Sequence, residues 1–383
     1  MPPDPNSDTT RKMRPWQPAW LHRYPTLERL YRKHEKYVPL LVFATGFIWD
    51  TFTMTRVDSL LDHLILSGYA AAISVMIVFT LRRQEGRSCP TWVQRLEPHF
   101  LWAIQFAFGG LFSSFVIFYF KSVSWTRTLL FFILCVVLLV GNEFLHHRLR
   151  NPKLLATLYS FCLFSYLALL LPTLLASVDT IIFVMAGIIS VVLSLLVFAI
   201  GLSGPDAKWR QTVAPPFAGI AAVYIAINLL YFGNLIPPVP LALKTAGIFH
   251  HVTRVPEGYE VQQVPAPFYR FWKRCDDPFY YTAGETAYCY TAIFAPRRIR
   301  VPVRHIWSQY KPETGWYVTD RIAFEISGGR EDGYRGFTWK RTIAPGKWRV
   351  QVETYNGRIL GQIDFRVVPS PRPHPALQTR LIP

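Results

Sequence analysis

Three prolines within four residues, in Ile236-Pro237-Pro238-Val239-Pro240-Leu241, close an apolar run of helical length that begins at Ala218. Each proline lacks the backbone N–H that a helix needs, so the helix must stop here and continue as an extended, polyproline-like stalk. The two sides of this stretch differ in kind. From Val38 to Leu243 the apolar residues come in blocks, whereas the residues before and after are polar, basic and proline-rich. With 51% hydrophobic residues over 383, the chain reads as a membrane bundle and then a water-soluble domain. Stiff prolines would hold that domain close to the ends of the spans, so its ligand is expected near the membrane surface.

Seven stretches approach the ~20 residues that cross a ~30 Å hydrocarbon core. They are about 38–55, 60–81, 101–120, 127–146, 154–176, 180–201 and 214–236. Asp50 interrupts the first, and Arg56, Asp58, Asp62 and His63 come after it, so a re-entrant hairpin is the alternative there. With the N-terminus inside, the inner loops hold Arg82, Arg83, Arg87 and Arg95, then Arg148, Arg150 and Lys153, then Lys208 and Arg210. Only Arg56, Lys121 and Arg127 remain outside. This asymmetry orients a multi-pass protein of a bacterial inner membrane, with a cytoplasmic N-terminus and a periplasmic C-terminal domain. It also accounts for the formal charge of +17 without nucleic acid. Met1 to Lys36, basic and interleaved with Trp and Tyr, does not resemble a cleaved signal peptide and suits a segment lying on anionic headgroups, except that residues 1–18 read better as a disordered start; a short solvated helix after it is the alternative.

The expected layout is a basic segment over 1–37, a helical domain over 38–236, a proline stalk over 237–245, a β domain over 246–368 and an extended tail over 369–383. In the β domain the apolar period changes to two. Val301, Val303, His305 and Trp307 alternate against Arg300 and Arg304, and Ile322, Phe324 and Ile326 repeat the pattern. Trp348, Val350 and Val352 lead to Asn356-Gly357, expected as a type I′ turn, and Ile359, Gly361, Ile363, Phe365 and Val367 return. Short strands with Gly and Pro turns predict an all-β sandwich of immunoglobulin-like type. Cys275 and Cys289 alone fall in the exported domain, where they are either a disulfide or two thiols.

No spacing of catalytic groups stands out. There is no nucleophile elbow, phosphate loop or dinucleotide fingerprint, and no cofactor is implied. Glu143 with His146 and His147 would share one helix face, but a metal site needs a second such motif, so an interfacial helix end is the simpler reading. Asp50, Arg56, Asp58, Glu143 and Asn228 are the polar residues that a membrane span holds at a cost, and they mark a candidate polar path. In the β domain, Arg298, Arg300, Arg304, His305, Trp307, Trp339, Arg341, Trp348 and Arg349 are the candidate binding residues, with Trp316 and Lys347 in the same basic, Trp-rich surroundings. The opposing reading makes the tryptophans and His305 core and the arginines merely solvated.

His305-x-Trp307, Arg321-x3-Glu325-Ile326, Gly333-Tyr334-Arg335-Gly336-Phe337 and Gly346-Lys347-Trp348-Arg349-Val350 resemble an uncharacterised bacterial family, a domain of unknown function found at the C-terminus of multi-span proteins. Trp49-Asp50-Thr51, Arg56-Val57-Asp58, Gly141-Asn142-Glu143-Phe144 and the Ile236 to Leu241 stretch are similar to the membrane region accompanying it in proteobacterial proteins. The resemblance implies architecture and no activity. The expected function is therefore non-enzymatic. A membrane-anchored β domain would bind an envelope protein, an anionic glycan or a lipid headgroup, the alternative being a transporter or lipid-handling protein that uses intramembrane acids.

Overall fold

A computed structural model describes residues 38–54, 58–120, 128–203, 213–238, 240–265, 276–282, 284–297, 299–330, 332–370 and 376–382. The expectations for residues 1–37, Arg56, Cys275 and Arg298 lie outside these. The chain divides into two compact units, Met1–Phe52 and Thr53–Pro383. The described part of the first is helix α1 (Val38–Thr53) up to Phe52, which carries Asp50 near its C-terminal end.

The second unit begins with the remaining helices: α2 (Leu60–Gln84), α3 (Thr91–Phe120), α4 (Leu129–Asn142), α5 (Pro152–Leu175), α6 (Thr180–Leu202) and α7 (Ala214–Phe232). They form where the apolar blocks lie, and polar residues set their starts. Asn151 caps α5, its Oδ1 accepting from the N–H of Lys153 at 2.9 Å, with Pro152 at the first turn. Among the described residues, five helices are long and apolar enough to cross a membrane: α2, the His99–Phe120 part of α3, α5, α6 and α7. The expected first and fourth spans are shorter, at 16 residues for α1 and 14 for α4.

Helix α5 is the centre of the bundle, with 72% of its apolar window buried, against 28% for α7 and 33% for α2. The outer helices accordingly turn large apolar side chains such as Leu64, Val75, Phe106, Ile188, Val192 and Leu229 away from the protein. Without water to drive association, such helices pack through small residues and internal hydrogen bonds. A Cβ on Gly219 of α7 would lie 2.6 Å from Thr157 Oγ1 of α5, so the two backbones approach as only glycine allows. Ser67 and Ser74 of α2 bond the hydroxyls of Tyr166 and Tyr159 of α5 at 2.5 and 2.7 Å. Gln105 and Asn142 join α3 to α4 by exchanging side-chain N–H bonds to each other's backbone carbonyls at 2.8 and 2.9 Å.

Eleven strands come next among the described residues: β1 (Ala242–Phe249), β2 (His251–Val255), β3 (Gly258–Gln263), β4 (Phe279–Tyr281), β5 (Ala287–Phe294), β6 (Arg300–Lys311), β7 (Gly315–Ser327), β8 (Tyr334–Lys340), β9 (Gly346–Thr354), β10 (Ile359–Pro369) and β11 (Gln378–Ile382). One sheet has the order β1-β5-β8, a second β4-β10-β9-β6-β7 and a third β11-β3-β2. Strands β4 and β10 are parallel. Side chains of the first two sheets share one core, in which Ile248, Ala287 and Cys289 meet Trp307, Trp348, Val350 and Phe365.

Four expectations are corrected. The proline segment is no free stalk: Ile236, Pro237, Pro238 and Pro240 are buried, and a turn brings the Leu241 N–H to the Pro238 carbonyl at 2.9 Å. The end of the supposed tail is a strand, because Gln378–Ile382 pairs antiparallel with Tyr259–Gln263 and Ile382 packs on the Phe249 cluster. The Asn356-Gly357 turn is not type I′, which needs φ above zero at both residues. Only Gly357 has it, at +77°. Finally, Glu143, His146 and His147 do not share a continuous helix face, since α4 stops at Asn142 and a separate 3₁₀ turn starts at His146.

Candidate functional site

The β domain meets the helices at one end of the bundle, and the meeting is built from helix termini. At the C-terminus of α7 the chain turns at Asn234, a non-glycine residue with φ 55°. The Arg358 guanidinium donates both to the Tyr231 carbonyl and to Asn234 Oδ1, the latter at 3.1 Å. It also stacks on the Tyr231 ring, 3.2 Å from the centroid. A cation at a helix C-terminus satisfies the last carbonyls and the negative end of the dipole. Burial pulls the Arg358 pKa below its ordinary value, which the fixed partners make tolerable. Tyr231 is in turn stacked on Phe183 of α6 at 3.6 Å and 7°.

The same hairpin makes a second tie. Asn356 Nδ2 donates to Asp179 Oδ1 at 3.1 Å, and Ser177 Oγ donates to the other carboxylate oxygen at 2.8 Å. Asp179 is the residue before α6, where a carboxylate faces the positive helix end. The third tie uses Asp58, whose Oδ2 accepts from the Arg297 N–H at 3.2 Å. Ala176 and Val178, from the α5–α6 connection, pack on Leu241, Ile293 and Leu360 of the domain. A cavity of about 40 Å³ remains at the junction, lined among others by Tyr119, Phe183, Thr354 and Arg358. That holds about three waters and is far below the ~300 Å³ of a small-molecule site. The junction is therefore a mechanical joint rather than a ligand pocket.

The other polar residues singled out along the helices are spread through the unit. Asp58 belongs to the joint. Glu143 comes just after the end of α4, where its carbonyl lies 3.5 Å from Gln105 Nε2. Asn228 bonds the Tyr224 carbonyl of its own helix at 2.8 Å.

The candidate binding residues of the β domain divide by strand face. Trp307 and His305 are fully buried and Trp348 nearly so, which makes them core and removes them from any accessible face. His305 is satisfied on both ring nitrogens by Thr291 Oγ1 at 3.0 Å and Thr338 Oγ1 at 2.9 Å, and burial pushes its pKa down to about 3. Arg304 is paired with Glu353. Arg300, Trp339 and Arg341 are exposed. Arg349 pairs with Asp364 at 2.6 Å and lies over Trp316 at 4.2 Å. Cys289 sits in the core shared by the two sheets, and Cys275 lies outside the described residues.

Two features were not singled out by sequence reasoning. Arg358 carries no motif, and its partners Tyr231 and Asn234 are more than 120 residues away. The other is Asp276, buried with its Oδ2 3.6 Å from His250 Nε2. Its Oδ1 accepts from the Val264 N–H at 3.0 Å, while burial raises its pKa to about 7.

No curated protein matches the chain at a significant level. Among solved structures, the Pseudomonas fluorescens alkylpurine DNA glycosylase AlkC bound to DNA containing an abasic site analog aligns over 82% of this chain and 99% of that one. The identity is 10% and the TM-score 0.19, a value at which no common fold is implied. The family comparison is more informative: residues 301–367, from β6 through most of β10, match the family described as Protein of unknown function (DUF2914), which marks a domain of unknown function in the C-terminal region.

Proposed function

We propose that the chain is a seven-span protein of a bacterial inner membrane that holds an immunoglobulin-like β domain on the periplasmic side and presents it to an envelope component, without catalysing a reaction. The single observation that carries this reading is the separation of the two bundle ends. The domain touches the connection before α2, the α5–α6 connection and the end of α7. The arginines of the α2–α3 and α4–α5 connections lie at the other end, where Gln84 bonds the Arg150 carbonyl at 3.2 Å. Basic loops stay in the cytoplasm, so the domain faces outward and the N-terminus inward. The immunoglobulin-like reading is supported by two sheets, β1-β5-β8 and β4-β10-β9-β6-β7, packed on one shared core. The seven-span count rests on α1 and α4 crossing despite being short, which alternating loop charge favours. The helical part is proposed to be the membrane region that accompanies this domain in proteobacterial proteins. The partners we propose are the bilayer itself and an envelope polymer or protein, with no role for nucleic acid.

Labelling with a membrane-impermeant maleimide tests the orientation. In intact cells the Thr314→Cys variant, changed in the exposed β6–β7 turn, is expected to react. The Glu85→Cys variant, changed in the α2–α3 connection, is expected to react only after permeabilisation. The reverse pattern would sink the proposal.

A further inference from the structure

We infer that the far end of the β domain is a binding platform for an acidic polysaccharide, an assignment that rests on the domain being exported as proposed above. The platform lies on the outer face of the five-stranded sheet, where β6 ends and β7 begins. Tyr310 and Trp316 face each other across the two strands, their rings 5.4 Å apart, and both are more than a third exposed. Arg349 from β9 lies 4.2 Å from the Trp316 ring centre, and Lys347 lies 5.7 Å from that of Tyr310. Lys347 is paired in register with Arg366 of β10, and both are exposed. Asp364 is matched by Arg349 and the Asp277 carboxylate accepts from the Arg366 N–H at 3.2 Å, so the positive charge in excess there is that of Lys347.

Two flat rings fixed by cation contacts offer a pre-ordered stacking surface at little entropic cost. The C–H face of a sugar ring stacks on such a surface, while neighbouring ammonium and guanidinium groups take its carboxylates or other anionic substituents. Both rings stand exposed on an open strand surface, which suits a linear polymer better than a small molecule. A protein partner would call for an apolar anchor in a well-packed pocket, whereas the two rings stand out on the sheet face among cations.

Position selects between anionic sources. Tyr310 is ten residues along β6 from Arg300, roughly 33 Å at 3.3 Å per residue, and Arg300 lies close to the Arg297–Asp58 tie. Arg349 is seven residues from Asn356, which bonds the helix end. Measured along the strands, the platform therefore lies several Debye lengths, of about 8–10 Å each, from the joint with the helix ends. This position away from the joint favours a soluble envelope polymer over the headgroups of the protein's own membrane as the ligand.

The test uses the full chain in nanodiscs and polygalacturonate as the probe, with neutral dextran, polyglutamate and free phosphatidylglycerol vesicles as controls. Polygalacturonate is expected to bind in preference to all three controls. Trp316→Ala is expected to weaken that binding at least about tenfold and Trp316→Phe much less, because a ring of either kind can stack. The circular dichroism spectrum and unfolding midpoint should be unchanged in both variants. Absent polygalacturonate binding, binding unaffected by Trp316→Ala, or equal binding of polyglutamate or vesicles would overturn the assignment. Failure here with outward labelling of the Thr314→Cys variant would leave the exported-domain reading standing and remove only the platform.

Discussion

Replacing Arg358 by alanine is expected to release the β domain from the helix ends while leaving the domain itself folded. The change strips the Tyr231 carbonyl and Asn234 Oδ1 of a donor and uncovers the Tyr231 ring. Losing a charge-assisted, half-buried hydrogen bond with its cation–π stacking costs on the order of 2–4 kcal/mol. That loss falls on docking, because the domain core of Trp307, Trp348, Val350 and Phe365 is elsewhere. Limited proteolysis should therefore cut the variant between Leu235 and Leu241, a segment that is largely buried in the intact protein. Arg358→Lys should fall between, since an ammonium keeps the charge but not the planar fork that serves both acceptors. Wild-type protease resistance in the alanine variant would mean that the joint is held by other contacts.

A second large effect concerns pH, where two buried groups in the domain oppose one another. His305 has its pKa lowered to about 3 from 6.5, so the unfolded chain binds a proton that the folded chain refuses. Its contribution is intact above pH 6.5 and is lost as pH falls from there towards 3. Asp276 has its pKa raised to about 7 from 3.8, so the folded chain holds a proton that the unfolded chain releases. Its contribution is intact below pH 3.8 and is lost as pH rises towards 7. Each slope is about 1.4 kcal/mol per pH unit, so between about pH 4 and 6.5 they cancel. His305→Gln preserves a donor and an acceptor for Thr291 and Thr338, and with the His slope removed its stability should fall by ~3 kcal/mol relative to wild type as pH rises across that window. Asp276→Asn keeps the acceptor for the Val264 N–H and should gain stability by a similar amount over the same rise. Thermal or denaturant unfolding followed by circular dichroism at several pH values reads both slopes, and a variant that tracks wild type would show its group untitrated.

The division into helices and strands was legible because it depends on local period. Apolar blocks located the helices α1 to α7 among the described residues, five of them long and apolar enough to cross a membrane, and alternation located β6, β7, β9 and β10. Alternation also put His305 and Trp307 on the face of Val301 and Val303, which is why they are core, whereas a count of Trp and Arg carries no information about faces. The joint was not legible. Asn356-Gly357 announced a hairpin, but nothing local says that its tip lands on Asp179, or that Arg358 beside it caps a helix far back in the chain. The prolines marked the end of α7 correctly and misled about the segment beyond it, because burial against the joint is decided by partners distant in sequence. Strand β11 escaped notice since five residues after a proline-rich stretch gain their conformation only by pairing with β3.

The seating of the Asn356 hairpin on the α5–α6 end of the bundle is tested most directly by cross-linking a double variant, Asp179→Cys with Asn356→Cys, in native membranes with a short bis-maleimide. The two wild-type side chains are 3.1 Å apart at their polar atoms. With a protease site inserted between Ser203 and Val213, the fragments are expected to stay joined after cross-linking and cleavage, and Arg358→Ala is expected to lower the yield. Fragments that separate as readily as in the single-cysteine controls would contradict the docked arrangement.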